Sequence, residues 1–283
     1  MSLEQREREF HFSDSDFHEL VGIVGKRTGI KLAEHKRSMV YSRLARRLRA
    51  LGFTQFRQYI QLITAPEGEG EITDFVNAIT TNLTKFFREE HHFTHLRDRV
   101  LKPLAAHPPL GKRVRMWSAG CSSGMECYSM AMTAQEAIPD IERWDFKILA
   151  TDIDTNMLKK GQEGIYRKED AEAVPPEYRK KYLVRHGGAK ADEVQVIDKL
   201  RALSSFKYLN FISEPWPVKG LFDVIFCRNV VIYFDKETQR RLFAKFAEML
   251  KPQGWLYIGH SENLMGVSDS FESLGKTVYR KIA

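Results

Sequence analysis

The stretch that most constrains the fold is residues 113–129, where an apolar run leads into a loop of small residues and a helix start. Gly120 and Gly124 have no side chain to keep a ligand away from the backbone, and the free N–H groups of the helix start face that ligand. A second apolar run ends at Asp152. This order of strand, glycine loop, helix, strand and acid predicts an adenosine site, with the acid on the ribose hydroxyls. The loop lacks the G-x-G-x-x-G order of dinucleotide-binding proteins, so the identity of the adenosine cofactor stays open at this point.

Beyond Leu101, short β-rich runs alternate with amphipathic helices, which predicts a mostly parallel sheet covered by helices on both faces. The run from Thr277 is interpreted as an edge strand. Residues 165–205, with Gly187 and Gly188 between two strand-like runs, are interpreted as a small antiparallel insertion. The expected strands are 113–118, 146–151, 206–212, 222–227 and 255–260, and the expected helices lie near 125–138, 154–163 and 236–250.

The first ninety residues show helical spacing instead. A chain of 283 residues can hold one large and one small domain. We therefore expect a helical domain over residues 1–85 and an α/β domain over residues 86–283. The expected helices are one capped by Ser13 or Asp14 and ended by Gly29, one over 36–51 before Gly52, one opened by Thr54, and one from near Glu71.

Composition narrows the class of protein. No apolar run approaches the roughly 20 residues that span a bilayer, and the charged N-terminus does not resemble a signal peptide. Three cysteines without paired or zinc-like spacing favour a reducing cytoplasm and argue against a metal site. The net charge of +7 leaves nucleic acid, an acidic protein surface and anionic lipid open as partners.

Two acids of the α/β half are candidate cofactor ligands. Asp152 either accepts hydrogen bonds from ribose hydroxyls or caps the next helix, and Asp154 fits the cap better. Glu126 lies in the first turn of a helix, where the dipole favours an acid in any case. Beside a cationic cofactor such as a sulfonium, the same carboxylate would also compensate charge.

Two polar segments are further candidates. Residues 80–89 are either a capped helix start with Thr84 as the cap, or a site in which the planar guanidinium of Arg88 clamps a carboxylate. Residues 228–234 follow a central strand directly, where open α/β sheets bind ligands. Tyr233 in this segment is either a site residue or a core aromatic with its hydroxyl at the rim.

A basic helix is the remaining feature, with six basic residues and no acid between positions 36 and 49. Lys36, Arg43, Arg46 and Arg47 are expected on one helical face. Such a run is either a solvated face or a surface for an acidic partner.

Together these motifs resemble the chemotaxis receptor methyltransferase family, CheR, in the family's order and over nearly the whole chain from about Phe12. The resemblance implies a Rossmann-like S-adenosylmethionine-dependent methyltransferase domain with a small antiparallel β insertion, preceded by a small all-α domain. It also implies transfer of a methyl group to glutamate side chains of bacterial chemoreceptors. The matching segments are 35–49 (HKRSMVYSRLARRLR), 80–89 (TTNLTKFFRE), 117–124 (WSAGCSSG), 150–154 (ATDID), 226–234 (FCRNVVIYF) and 259–263 (GHSEN).

The same resemblance implies roles for single residues. Arg88 and Tyr233 would lie nearest the transferred methyl group, and the basic helix would dock on the receptor's methylation region through Lys36, Arg43, Arg46 and Arg47. The small insertion would touch the receptor's C-terminal tail where one is used. The implied cofactor-binding residues are Asn82, Thr84, Arg88, Glu126, Asp152, Asn210, Phe211, Arg228 and Asn229.

The chain departs from the family pattern at Met125 and Cys127, where the family's loop commonly continues Gly-Glu-Glu-Pro. Two other functions stay open on the sequence. One is a nucleic-acid methyltransferase that grips phosphates with the basic helix, although interleaved basic and aromatic stretches for base stacking are missing. The other is a non-catalytic sensor that binds the cofactor and a receptor.

Overall fold

The computed structural model describes residues 9–186 and 192–282, so the turn expected at Gly187 and Gly188 lies outside the described residues. The chain divides into two compact units. The first ends at Thr81 and includes Tyr233–Asp235, and the second begins at Asn82 and includes the chain from Lys236 onward.

The first unit is helical. Its helices are α1 (Asp14–Thr28), α2 (Arg37–Leu51), α3 (Phe56–Thr64) and α4 (Glu69–Ile79). Ser13 caps α1, because its hydroxyl accepts from the Asp16 N–H at 3.1 Å while the Asp16 carboxylate accepts from the Ser13 N–H at 2.9 Å. Gly29 ends α1 in the left-handed conformation with φ of 76°. The third helix begins at Phe56 rather than at Thr54, since Gln55 and Gln58 form its capping box.

The second unit contains both sheets and the remaining helices. Its strands are β1 (Arg113–Ala119), β2 (Asp145–Asp152), β3 (Ile165–Arg167), β4 (Leu183–Arg185), β5 (Glu193–Val196), β6 (Ser204–Tyr208), β7 (Phe222–Cys227), β8 (Leu250–Ile258), β9 (Phe271–Ser273) and β10 (Val278–Lys281). Its helices are α5 (Glu90–His95), followed by a π-helical stretch Leu96–Leu101, then α6 (Lys102–Ala106), α7 (Met125–Ala137), α8 (Thr155–Glu163), α9 (Lys168–Ala171), α10 (Pro176–Tyr182), α11 (Asp198–Arg201) and α12 (Lys236–Met249).

The large sheet has the strand order β6-β2-β1-β7-β8-β10-β9. Strands β6, β2, β1, β7 and β8 run parallel to one another, and β10 is antiparallel to β8 and β9. The chain order reverses at β1, because β2 lies on one side of it and β7 on the other. Open α/β sheets bind ligands in the crevice at such a point, outside the carboxyl ends of the strands.

The C-terminal edge of this sheet differs from the expectation. The run at Thr277 forms β10, which lies inside the sheet between β8 and β9, so its interpretation as an edge strand is wrong. The edge is β9, a three-residue strand too short to give an alternation signal. The strand expected over 206–212 ends at Tyr208.

The expected antiparallel insertion is confirmed as a three-stranded sheet in the order β3-β5-β4. Its strand β3 reaches the glycine loop, since the hydroxyl of buried Tyr166 donates to the Ser123 carbonyl at 2.6 Å. Helix α8 packs closely against the sheet, because a Cβ on Gly161 would lie 2.5 Å from the Phe206 ring.

Candidate functional site

The glycine loop is tied to the carboxyl end of β2 by backbone hydrogen bonds. The N–H groups of Gly120 and Cys121 both donate to the Thr151 carbonyl, at 2.8 and 2.9 Å. Gly120 has φ of +84°, and a Cβ there would lie 2.4 Å from the Val230 side chain. Only glycine fits this position without a shift of its neighbours, so the loop is held in one shape.

Asp152, at the carboxyl end of β2, accepts hydrogen bonds from two neighbouring segments. Its Oδ2 accepts from the Ser122 N–H at 2.7 Å, and its Oδ1 accepts from the Asp154 N–H at 2.9 Å. Each carboxylate oxygen can accept a second hydrogen bond, which fits a pair of ribose hydroxyls. Burial raises the pKa of Asp152 to about 6, and the N–H groups of Asp154 and Ser122 oppose that rise.

Asp154 caps α8, as expected, by accepting from the N–H groups of Asn156 and Met157 at 2.9 and 3.1 Å. Its other oxygen accepts from Asn82 Nδ2 at 2.7 Å, and the Asn82 carbonyl accepts from the Ser122 hydroxyl at 3.1 Å. These bonds hold the start of the 82–89 segment against the glycine loop.

Thr84 does not cap a helix, so that alternative is wrong. Residues 80–89 form no helix or strand, and the next helix begins at Glu90. The Arg88 guanidinium is half-buried and donates to the Leu83 carbonyl at 3.1 Å. The segment is thus an irregular connection, held by a local bond from Arg88 and by long-range bonds of Asn82.

A buried ion cluster, made of Arg228, Glu89 and Glu126, lies at the carboxyl end of β7. The Arg228 guanidinium is 3.3 Å from Glu126 and 3.4 Å from Glu89, and it also donates to the Arg88 carbonyl. The Ser118 hydroxyl donates to the other Glu126 oxygen at 2.7 Å. The side chain of Arg228 is 1% exposed, and those of Glu89 and Glu126 are 10% and 12% exposed.

This Arg228 cluster holds two carboxylates against one guanidinium. Burial raises the pKa of Glu126, although Arg228 and the Ser118 hydroxyl oppose the rise. Burial acts the same way on Glu89, but Arg228 and His260 outweigh it and hold its pKa below the usual value. With both carboxylates ionised, these three side chains carry one negative charge in excess, and the nearby positive charge of Arg88 offsets part of it. The remaining carboxylate charge suits a cationic group such as a sulfonium. Glu89 lies inside the quoted 80–89 segment, but its role as a partner of Arg228 was not foreseen.

Glu262 is a second residue that sequence reasoning missed. Its buried carboxylate accepts four backbone N–H groups. Oε2 accepts from Gly259 at 2.5 Å and from Asn229 at 3.0 Å, and Oε1 accepts from Val230 and Val231 at 3.0 Å. Burial raises the pKa of Glu262, and the backbone N–H bonds oppose it. Its place in the motif 259–263 was the available signal.

Asn210 and Phe211 follow β6 at the same edge of the sheet. Asn210 is buried, and its Oδ1 accepts from the Ile212 N–H at 3.2 Å. The Phe211 ring packs beside Trp216 and Phe246, with centroids 5.8 and 6.0 Å away. An amide beside an apolar wall is chemistry that suits a purine.

The other predicted residues lie in the helical unit. The Tyr233 carbonyl accepts from the Lys31 N–H at 2.8 Å. On α2, Arg43 donates to the carbonyls of Ile79 and Thr80 at 2.7 and 2.6 Å, and Arg47 pairs with carboxylates of α4. The basic face is therefore partly neutralised from within the unit, contrary to the expectation of an unneutralised run. Lys36 and Arg46 are exposed.

The three cysteines are poorly suited to act as nucleophiles. Cys121, Cys127 and Cys227 are all buried, and burial raises the pKa of each thiol. Within the described ranges, no group of three His, Cys, Asp or Glu side chains is placed to hold a metal ion. No helix of those ranges is long and apolar enough to cross a membrane.

Comparison with protein families gives two matches. Residues 82–280 match the family described as "CheR methyltransferase, SAM binding domain" and residues 15–80 match "CheR methyltransferase, all-alpha domain". The chain is 45% identical to a probable chemotaxis protein methyltransferase of Rhizobium etli, over 89% of this chain and 94% of that protein. It is 42% identical to the chemotaxis protein methyltransferase of Escherichia coli, over 94% and 91%.

Among solved structures, the chain is similar to magnesium protoporphyrin IX methyltransferase from Synechocystis with bound SAH, at 15% identity and a TM-score of 0.32, over 67% of this chain and 70% of that one. The Asp152 carboxylate, the excess negative charge of the Arg228 cluster and the Asn210–Phe211 wall fit the ribose, sulfonium and purine of S-adenosylmethionine. The chain belongs to the CheR methyltransferase family and carries out S-adenosylmethionine-dependent methylation in chemotaxis.

Proposed function

We propose that this protein transfers the methyl group of S-adenosylmethionine to glutamate side-chain carboxylates in the cytoplasmic domain of bacterial chemoreceptors. The products are a glutamate methyl ester and S-adenosylhomocysteine, and the reaction serves adaptation in chemotaxis. The observation that carries the proposal is the match over both CheR domains to relatives that are named chemotaxis methyltransferases. That observation does not favour a nucleic-acid methyltransferase or a sensor.

Methyl transfer to a carboxylate does not require the protein to act as a general acid or base. S-adenosylmethionine supplies, when bound, an electrophilic methyl carbon on a positively charged sulfur. A glutamate side chain has an unperturbed pKa of about 4.3 and is already ionised at neutral pH. Its oxygen forms the new C–O bond as the S–C bond breaks, and sulfur keeps the bonding pair. This fits an edge without a catalytic Ser–His or Cys–His pair.

The Arg228 cluster serves binding rather than rate in this proposal. Opposite charges of cofactor and substrate cancel on the way to the transition state, so the negative cluster stabilises the bound cation more than the transition state. An interaction of that kind improves binding without raising kcat. The rate then rests on alignment of the two reactants, which can contribute roughly 7–11 kcal/mol.

The residue roles in this proposal are those that the family resemblance implies. Arg88 orients the substrate carboxylate with one oxygen left to attack, and Tyr233 positions the acceptor or the methyl group. Asp152 binds the ribose hydroxyls. The further cofactor contacts we propose are Asn82, Thr84, Arg88, Glu126, Asn210, Phe211, Arg228 and Asn229, and the receptor contacts are Lys36, Arg43, Arg46 and Arg47.

The test is transfer of a radiolabelled methyl group to receptor-containing membranes, scored as base-labile methyl esters. We expect label in the receptor band with the native protein and at least tenfold less with Arg88→Ala at saturating S-adenosylmethionine, so that weaker cofactor binding does not account for the loss. Membranes without receptors are the control. Label in nucleic acid instead, or cofactor binding without any transfer, would contradict the proposal.

A further inference from the structure

Glu262 links the two loops that follow β7 and β8. We call this set of hydrogen bonds to its carboxylate the joint. Its carboxylate is 5% exposed and receives the N–H groups of Asn229, Val230 and Val231 from one loop and of Gly259 from the other. Three successive N–H groups that point at one acceptor form an anion-binding concavity of the backbone. Here the anion is a side chain of the protein itself.

The joint requires an unusual backbone at Asn229. This residue has φ of +60°, in the left-handed region that asparagine adopts more readily than most other residues with a side chain. Gly259 is equally constrained, because a Cβ there would lie 2.5 Å from Asn229 Nδ2 and 2.9 Å from Glu262 Oε2. The two loops therefore fit closely around the carboxylate.

We propose that Glu262 is a positioning residue for cofactor binding. It touches neither cofactor nor substrate, but it fixes the backbone at 229–231, directly after Arg228, and thereby the position of the Arg228 guanidinium beside Glu89 and Glu126. The inference rests on the proposed cofactor contacts of Arg228 and Asn229. The test measures cofactor binding, so its outcome does not depend on which group accepts the methyl.

The decisive variant is Glu262→Gln, which keeps the shape of the side chain but turns an amide NH₂ toward backbone N–H donors. We expect the dissociation constant for S-adenosylhomocysteine, measured by calorimetry, to rise at least tenfold. Glu262→Asp, which keeps the charge on a shorter side chain, should lie between Glu262→Gln and the native protein.

Leu200→Ala is the matched control, because it removes a fully buried side chain in α11 of the same unit. It should lower the Tm and leave the dissociation constant within twofold of the native value. The proposal is overturned if Glu262→Gln binds within twofold of the native protein, or if its loss equals that of Leu200→Ala at the same drop in Tm.

A measurement on the native protein covers the case in which Glu262→Gln does not fold. Amide hydrogen exchange at Val230 and Val231 should be slow without ligand and slower still with S-adenosylhomocysteine. Exchange as fast as in an exposed peptide, with no change on ligand addition, would overturn the proposal.

Discussion

Two arginines of this protein, Arg228 and Arg47, each face a pair of carboxylates, but in different surroundings. Arg228 is 1% exposed and lies 3.3–3.4 Å from Glu126 and Glu89. Arg47 is 26% exposed and lies 2.5 Å from Glu71, which is 10% exposed, and 2.9 Å from Asp74, which is 47% exposed. The charges of the three side chains are the same in number and each group has one carboxylate that is 10% exposed, so the two groups differ in the burial of the arginine and of the second carboxylate.

Burial decides what each group of charges can do. Around Arg47 water screens the interactions, and the ion pairs join α2 to α4. Around Arg228 water is excluded, so each charge depends on the others, and removal of one leaves its partners unpaired in a low dielectric. The first arrangement stabilises a helical unit, whereas the second keeps an excess negative charge at a ligand-binding edge.

The largest effect is expected from Arg228→Met. Loss of the guanidinium leaves two buried carboxylates uncompensated, which should cost about 3–5 kcal/mol in the free energy of unfolding at pH 7. Urea unfolding measures this loss in the free energy of unfolding. The deficit should shrink at pH 5, where Glu126 and Glu89 can take up protons. A loss below about 1 kcal/mol, the size typical of an exposed pair, would erase the contrast with Arg47.

Asp152 extends the comparison to a buried acid whose hydrogen-bond partners are backbone N–H groups. Its folded pKa of about 6 lies above the ordinary 3.8, so its ionised form costs stability above pH 6, and protonation relieves that cost as pH falls. Protonation also removes an acceptor for ribose. We expect affinity for S-adenosylhomocysteine, measured by calorimetry, to fall by up to about tenfold per pH unit below pH 6.

The control for this pH dependence is Asp152→Asn, which has no proton to take up. Its affinity should be weaker than the native value at pH 7 and should not change between pH 7 and pH 5. Parallel curves for the two proteins would show that another group titrates.

Arg47→Met tests the exposed side of the comparison. A hydrogen bond to a charged group contributes about 1.5–3 kcal/mol to stability. Solvent screening lowers that contribution, so we expect the free energy of unfolding to fall by about 1–2 kcal/mol. Differential scanning calorimetry should show a lower Tm, with S-adenosylhomocysteine affinity unchanged. A loss as large as that of Arg228→Met would mean that burial is not the deciding variable.

The smallest effect is expected from reversing the exposed charges Lys36 and Arg46 together to glutamate. Arg43 and Arg47 are left intact because they bond to α4 and its C-terminus. The KM for receptor should rise roughly three- to tenfold at low salt and converge with the native value at high salt. Lys26→Glu, at an exposed position of α1, is the control, and an equal rise there would remove the case for a specific basic surface.

Features encoded by neighbouring residues could be predicted from the sequence. The Asp154 cap, the Ser13 capping box and the strand that ends at Asp152 each depend on a few consecutive side chains. The position of β10 could not, because a three-residue strand such as β9 carries no periodicity and the order of strands is set by pairing. Local propensity also misread Thr84, since tertiary bonds from Asn82 hold that segment in an irregular path.

The charge clusters were the hardest to foresee. Arg47 is 24 residues from Glu71 in the chain, and Arg228 takes its partners from segments more than 100 residues away. A sequence shows the sign of a charge but not whether an opposite charge reaches it. The basic run of α2 therefore looked unneutralised, and the sequence did not show that Glu89 pairs with Arg228.

The buried cysteines make the molecule convenient for site-specific labelling. Maleimides react with thiolates, and Cys121, Cys127 and Cys227 are at most 1% exposed with raised pKa values. A cysteine introduced by Met265→Cys, at a side chain 88% exposed in the loop that carries Glu262, would be the fast-reacting thiol. A fluorophore there would report in real time on that loop during the methylation cycle, with the native cysteines left in place.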